Sequence, residues 1–378
     1  MQSAEHWFQS LIASAGIQLN GSAPCDIQVH NPAMFHRIRW QGTLGLGDSY
    51  IDGWWDCDHL DELFYRLFTA HLDRTSGLFI PQLLGTLRAY LANLQSVGRA
   101  FQVGERHYDL DNQIFRSMLG DTMVYSCAYS GSCTRMLDRT LDQAQLAKLD
   151  LICRKLHLSP GATVLDIGCG WGAFARFAAE HYGVHVIGLT VSENQAAYAR
   201  TLCAGLPVDI RLQDYRSFTG HADTIVSVGM FEHVGVKNYP TFFDTARLAL
   251  FPNGLFLLHS IGSLHTELAG EPWINTHIFP NGKLPSLRQI TTAVEGRFLI
   301  EDLQNIGPDY DFTLMSWSNN FQRSIQRGEL ASHFDQRFQR MWQYYLLTCA
   351  AAFRSRCLQL WQLVLSPNGV PGGYQSAR

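Results

Sequence analysis

The stretch Val164-Leu-Asp-Ile-Gly-Cys-Gly-Trp171 constrains this chain more than any other. A β-branched and leucine run, Thr163 to Ile167, reads as a buried strand, and Gly168, Gly170 and Gly172 mark a tight turn before a helix near Ala173 to His181. Glycines at such a turn let the backbone approach a ligand, and a helix start offers N–H groups without partners in the helix. With Ala173 the string also fits G-x-G-x-x-A, a dinucleotide fingerprint that is weak by itself. Asp166 argues for a different ligand. It stands two residues before the first glycine, at the carboxyl end of the strand, where a carboxylate meets an ammonium better than a pyrophosphate.

The acid expected about 20 residues on for a nicotinamide ribose is missing, because the next strand, Val184 to Leu189, runs into Thr190, Val191 and Ser192. A cationic amino-acid ligand such as S-adenosylmethionine (SAM) fits Asp166. Many SAM sites also use an acid for the ribose hydroxyls, so here Thr190, Ser192 or Gln195 must substitute. A purely structural glycine turn is the competing reading.

Around this unit, strands and helices alternate. Strands are expected at 163–167, 184–190, 207–212, 223–229 and 255–260, and helices at 173–181, 193–203 and 238–249, which predicts a doubly wound, mostly parallel sheet with ligands beyond the carboxyl ends of its strands. A long helix near Leu141 to Leu156 precedes the sheet and ends at Pro160-Gly161. Strands at Phe298 to Asn305 and Leu358 to Leu365 complete it, with helices near Pro285 to Val294 and His333 to Arg354. Residues Gly262 to Pro285 are too long for an ordinary connection and too apolar for a solvated loop, so a lid is expected there.

Ahead of the sheet, a helix over Glu5 to Ala15, short strands at Asp26 to His30 and His36 to Gln41, and a helix over His59 to Leu72 make a small α+β module. Its Asp48-Ser-Tyr-Ile-Asp-Gly-Trp-Trp-Asp run reads as a packed corner rather than a ligand box. Ile80, Leu83, Leu84, Leu87, Leu91 and Leu94 then share one helical face beside Arg88 and Arg99, as core, domain contact or membrane surface. The expected division is an N-terminal docking or dimerisation domain at 1–96, a linker at 97–106 and a catalytic domain at 107–378.

The 378 residues suffice for two cored domains. The net charge of −4 lacks the basic excess that nucleic-acid binding calls for. The start, Met-Gln-Ser-Ala-Glu-His-Trp, lacks the features of a signal peptide, and no run of about 18 apolar residues appears, so a cytosolic or peripheral protein is expected. Nine cysteines without C-x-x-C or zinc spacing read as reduced thiols, and no metal is expected.

Groups able to do chemistry gather at strand ends. Gln213-Asp214-Tyr215 closes the third strand, where an acid or backbone N–H can meet an adenine amine and Tyr215 can cover its face. Glu232 follows the fourth strand, His259 ends the fifth, and Tyr310 lies in Pro308-Asp-Tyr-Asp. Carboxylate, imidazole and phenol on one rim can hold a small anion or a water and orient a proton acceptor.

Val164-Leu-Asp-Ile-Gly-Cys-Gly-Trp-Gly, Tyr125-Ser-Cys-Ala-Tyr, Val228-Gly-Met-Phe-Glu-His-Val-Gly, Leu257-Leu-His-Ser-Ile-Gly and Ile278-Phe-Pro-Asn-Gly together resemble the bacterial cyclopropane-fatty-acyl-phospholipid synthases, of the mycolic acid cyclopropane synthase superfamily. Asp-Gly-Trp-Trp-Asp-Cys resembles their N-terminal domain, so the resemblance covers nearly the whole chain. It implies a class I SAM-dependent methyltransferase, α/β and Rossmann-like, with helical cover and a small N-terminal α+β domain. The implied reaction places a methylene from SAM across a cis double bond of an acyl chain in membrane phospholipid. The implied SAM contacts are Tyr125, Ser126, the segment Val164, Leu165, Asp166, Gly168, Cys169, Gly170, Trp171 and Gly172, then Thr190, Ser192 and Gln195, then Gln213, Asp214, Tyr215 and Arg216.

The resemblance also implies a bicarbonate ion held by Cys127, Glu232, His259, the backbone of Ile261, and Tyr310. Phe231 and Trp273 are expected to face a developing cation. Cys349 matches a family active-site cysteine, although an alanine-flanked cysteine on an apolar helix suits a pocket better than a nucleophile. Asp111 and Ser130 depart from the family pattern. The implied partners are a phospholipid surface, met peripherally at the inner face of the cell membrane, and a second copy in a homodimer. Runner-up readings are a fatty-acyl C-methyltransferase giving a methyl-branched or methylene product, a small-molecule methyltransferase, and a SAM-binding module without activity.

Overall fold

The computed structural model describes residues 3–72, 112–131, 139–267, 269–330 and 334–378. The amphipathic helix expected at Ile80 to Leu94, the linker at 97–106 and Asp111 lie outside the described residues. The chain divides into two compact units, Met1–Ala92 with Leu268–Pro280 and Asp311–Leu358, and Asn93–Glu267 with Asn281–Tyr310 and Gln359–Arg378.

The first unit is helical around a two-residue antiparallel pairing of β1 (Gln28–Val29) with β2 (Trp55–Asp56). Its helices include Ala4–Ala13, Ala33–Gln41, Thr43–Ile51, Leu60–Thr69, Pro272–His277 and Gln336–Arg354. The expected strand at His36 to Gln41 is a helix. Its polar–apolar alternation imitates a strand, but Met34, Phe35 and Ile38 form the buried stripe and Trp40 is 70% exposed. Within the expected corner, Trp55 is fully buried and its indole N–H donates to Leu46 O at 3.1 Å. Gly47 is needed for close packing, since a Cβ there would overlap the ring of the buried Trp273. His277 Nε2 lies 2.7 Å from Asp48 Oδ1, so part of the segment expected as a lid is a helix anchored on Thr43–Ile51. Arg354 joins Asp61 and Asp311. The helix Pro308–Gln326 has no counterpart in the sequence reading.

The second unit carries a seven-stranded sheet in the order β5-β4-β3-β6-β7-β9-β8: β3 Thr163–Ile167, β4 His185–Thr190, β5 Val208–Leu212, β6 Ala222–Val228, β7 Leu250–Ser263, β8 Leu299–Asn305 and β9 Leu358–Ser366. The contiguous set β5, β4, β3, β6 and β7 pairs in parallel, and β8 runs antiparallel to β9. Parallel strands are covered on both faces and therefore read as continuous apolar runs. On one face Leu165 and Ile167 join Phe231, Phe242, Phe243, Phe256 and Trp361. On the other, Val164 joins Ile152, Phe174, Val186 and Leu257. The helix Leu141–Lys155 begins with a capping box between Thr140 and Gln143. Because the strand order reverses at β3, a crevice opens beyond its carboxyl end. No helix among the described residues is long and apolar enough to cross a membrane.

Candidate active site

The turn after β3 is held open by its glycines. Gly168 has φ +92°, and a Cβ there would lie 2.7 Å from the Met230 side chain; Gly170 has φ +54°, and among the described residues nothing lies within 4 Å of where its Cβ would be. The N–H groups of Gly168 and Cys169 both donate to Leu189 O, at 3.0 and 2.9 Å, which fixes the turn to the neighbouring strand.

A cavity beyond this turn is lined by Tyr125 and Ser126, by Asp166, Gly168, Cys169, Gly170 and Trp171, by Thr190, Ser192 and Gln195, and by Gln213, Asp214, Tyr215 and Arg216. These are the expected cofactor contacts apart from three. Val164 and Leu165 point into the two cores on opposite sheet faces, because only the carboxyl end of a strand meets the crevice. Gly172, at φ +87°, serves packing between helices: its added Cβ would lie 2.9 Å from that of Ala199.

Asp166 is buried, with Oδ2 lacking a hydrogen-bond partner among the described residues. Desolvation pushes its carboxyl up to about 7, and the nearby Lys148 ammonium opposes that rise. A cation in the cavity would complete the carboxylate, as an ammonium-bearing ligand does. Thr190 Oγ1 donates to Gln195 Oε1 at 2.9 Å, and Ser192 Oγ accepts the Gln195 N–H at 3.2 Å, so these three side chains brace one another at a helix start. Asp214 is already engaged: Oδ1 accepts from Arg216 Nε at 2.8 Å and from the Arg216 N–H at 2.9 Å. Tyr215 remains at the cavity wall. Trp171 packs on Phe115, centroids 4.7 Å apart, and its indole N–H donates to Asn112 Oδ1 at 2.9 Å.

Lys148 was not singled out by motif, yet it lines the cavity, is 1% exposed and donates to Ser126 Oγ at 3.0 Å. Desolvation brings its ammonium down to about 8. Gln145, one turn earlier, donates to Ser126 O at 2.8 Å, so one helix face clamps the Tyr125-Ser126 segment. The signal was present in sequence: Ala144, Lys148, Leu151 and Lys155 form one buried stripe on the helix. His233 also lines the cavity, and burial holds it down to about 4, so it stays neutral.

The expected acid–base group forms a second constellation at the ends of β6 and β7, where Val228 pairs with His259. Glu232 Oε1 accepts the Ile261 N–H at 2.6 Å, so that backbone group orients the carboxylate. Glu232 Oε2 and His259 Nε2 are both buried without hydrogen-bond partners among the described residues. Desolvation raises the Glu232 carboxyl to about 7. Burial, with the Lys148 and Lys155 cations, drives His259 well below the usual imidazole range, so its ring is neutral.

Cys127 donates to Ala128 O at 3.1 Å and lies 3.9 Å from Ile306 O. Tyr310 is buried, with its N–H donating to Gly307 O at 3.1 Å. Ser130, expected to depart from the family pattern, donates through Oγ to Asp309 Oδ1 at 3.0 Å. Cys349 falls in the first unit, where desolvation pushes its thiol up to about 12 and keeps it from being a thiolate. Phe231 does not offer a free ring face: it stacks on Tyr239, centroids 4.2 Å apart, inside the aromatic core. Trp273 belongs to the first unit, packed on Tyr344 with centroids 4.5 Å apart.

Residues 95–363 match the family described as mycolic acid cyclopropane synthetase. The chain belongs to this family. It is 49% identical over 377 residues, 99% of this chain and 97% of the relative, to the cyclopropane-fatty-acyl-phospholipid synthase of Escherichia coli strain K12. It is 38% identical over 271 residues to a probable fatty acid methyltransferase of Pseudomonas putida, covering 68% of this chain and 67% of that protein. The crystal structure of the mycolic acid cyclopropane synthase CmaA1 complexed with SAH and CTAB superposes with a TM-score of 0.63 at 36% identity, covering 70% of this chain and 97% of that one. Fold and family together make this chain an enzyme of the SAM-dependent methyltransferase class, with the α/β class I architecture.

Proposed function

We propose that this enzyme is a cyclopropane-fatty-acyl-phospholipid synthase, converting the cis double bond of an unsaturated phospholipid acyl chain to a cyclopropane ring. The observation that carries the reading is the likeness to the Escherichia coli synthase over 99% of this chain, both units included. SAM, when bound, supplies an electrophilic methyl whose carbon joins one alkene carbon and, after losing a proton, closes the ring on the other.

The cavity residues fit that ligand. Ionised Asp166 would hold the ammonium, the open backbone at Gly170 admits close approach, and Tyr215 would lie against the adenine. SAH, S-adenosylhomocysteine, is what SAM becomes after giving up its methyl, which accords with the CmaA1 complex.

A proton acceptor must then reach the new methyl group in a water-poor niche. We read Glu232 and His259 as holding bicarbonate for that purpose. Their two partnerless atoms support this, since a small ion carrying both a hydroxyl and acceptor oxygens can satisfy a carboxylate and an imidazole N–H together. Ile261 steadies Glu232, and Cys127 and Tyr310 complete the expected ligand set. Nucleophilic attack by Cys349 is not part of the scheme.

Phospholipid is met at a bilayer, so the enzyme is proposed to work peripherally at the inner face of the cell membrane, as a homodimer. Vesicle flotation and sedimentation of the full chain test these two statements. The chemistry is tested by lipid turnover in carbonate-depleted buffer: restoration by added bicarbonate supports the proposed base, and equal rates with and without it remove that base. The Pseudomonas putida relative, a probable fatty acid methyltransferase, favours a second reading, methylation without ring closure: loss of a different proton by the same cation gives a methylene or a methyl-branched unsaturated chain, and a saturated branch would need a separate reductant.

A further inference from the structure

Strand β9 lies beside β7 in the sheet, and its Trp361-Gln362 pair meets the part of β7 that carries His259 and Ile261. The approach is close at Gly262, where an added Cβ would overlap the Trp361 ring. Gln362 is completely buried, and its amide nitrogen lies 3.2 Å from His259 Nδ1. The other ring nitrogen, Nε2, is buried without a partner among the described residues.

A neutral imidazole has one N–H, and the partner of one nitrogen decides where that proton sits. An amide N–H donating to Nδ1 makes Nδ1 the acceptor and leaves the proton on Nε2. We propose that Gln362 is a positioning residue that holds His259 as the Nε2–H tautomer, so that the ring offers a hydrogen-bond donor to the anion bound with Glu232. The role of the anion rests on the function proposed above; the tautomer does not.

Two further observations support the assignment. Burial and the Lys148 and Lys155 cations keep His259 neutral, so a tautomeric choice exists, whereas an imidazolium would donate from both nitrogens. Gln362 sits on a strand face between Leu360 and Val364, both buried, where packing alone would be served by leucine or methionine. Partners that orient a metal-ligating histidine from behind change affinity or activity by about 10- to 100-fold when removed, and the lower end of that scale is expected for an anion-binding ring.

The test uses the full chain with ¹⁵N-labelled histidine, the His259 ring signals being assigned by their loss in His259→Gln. The expected spectrum of the unsubstituted protein has the proton on Nε2. In Gln362→Met, similar in length but without a donor, the ring should shift to Nδ1–H or to a mixture. The bicarbonate concentration for half-maximal lipid turnover should then rise about 10-fold with SAM affinity unchanged.

A proton on Nδ1 in the unsubstituted protein overturns the proposal, and this reading needs no variant to fold. So does an unchanged Nε2–H tautomer in Gln362→Met. A Gln362-dependent tautomer in an enzyme indifferent to bicarbonate upholds the positioning and sinks the anion reading, so the two failures are distinguishable.

Discussion

The Ile261 N–H donates to one oxygen of the Glu232 carboxylate at 2.6 Å, and the other oxygen is buried without a partner among the described residues. Half of the group is fixed by backbone and half is left for a ligand. Such an arrangement costs stability unless something else fills the niche. Glu232→Gln keeps the shape but replaces the carboxylate with an amide. Lipid turnover should fall by about 10²- to 10⁴-fold, the usual span for loss of an acid–base group, while SAM binding measured by calorimetry stays intact. A variant retaining normal turnover would remove Glu232 from the chemistry.

Asp166 gives a pH dependence with a definite sign. In the ligand-free protein its carboxyl is raised to about 7, first by desolvation. A cationic ligand favours the ionised form, so binding below that pH must release a proton. SAM affinity should be flat above about 7.5 and fall roughly tenfold per pH unit below about 6.5. Asp166→Asn should bind more weakly at pH 8 and lose this slope. Calorimetry between pH 5.5 and 8 checks both, and a slope retained in the variant would assign the proton elsewhere.

The same linkage acts on folding. The folded-state value of Asp166 lies above its unfolded value near 3.8. Its contribution is therefore fully present below pH 3.8 and lost as pH rises through about 7. SAM should accordingly raise the melting temperature more at pH 8 than at pH 6, beyond what equal occupancy would give.

Lys148 ties Ser126 to the helix Leu141–Lys155 and favours ionised Asp166. Removing it in Lys148→Met should weaken SAM binding at pH 7 by roughly tenfold, the scale of one charge-assisted hydrogen bond, and move the Asp166 transition to higher pH. An unshifted transition would show that the two groups are not coupled.

Gly168 and Gly170 make an internal contrast. Both have positive φ, but an added methyl at Gly168 meets Met230 and one at Gly170 meets nothing within 4 Å among the described residues. Gly170→Ala should cost about 1 kcal/mol of stability and Gly168→Ala about 2–4 kcal/mol, from strain plus overlap. Chemical denaturation of both variants measures the difference, and equal losses would contradict the turn geometry.

The parallel strands were legible because burial on both faces makes each a short apolar run ending at a turn signal. Asp166, Glu232 and His259 were legible because strand ends are where such a sheet exposes chemistry. The helix Pro308–Gln326 was not, since Thr313, Ser318 and Ser324 interrupt the buried stripe made by Tyr310, Leu314, Trp317 and Phe321. His36 to Gln41 misled for the opposite reason, with alternation produced by the exposed Trp40. Lys148 and Gln362 were overlooked although each is a polar residue among core positions. That pattern, a group able to donate set within a stripe of core positions, marks the residues behind both constellations. Distances such as Gln362 to His259 depend on β9 lying beside β7, a pairing that neighbours in sequence do not specify.

The most direct measurement is mass spectrometry of phospholipid after incubating the full chain with SAM and vesicles of cis-unsaturated phospholipid, with fragmentation that distinguishes a ring from a branch or a displaced double bond. The expected products are acyl chains heavier by one CH2 that carry a cyclopropane at the former double bond. The same gain without a ring, a reduced methyl branch, or unmodified lipid in the presence of bound SAM would contradict the proposed reaction.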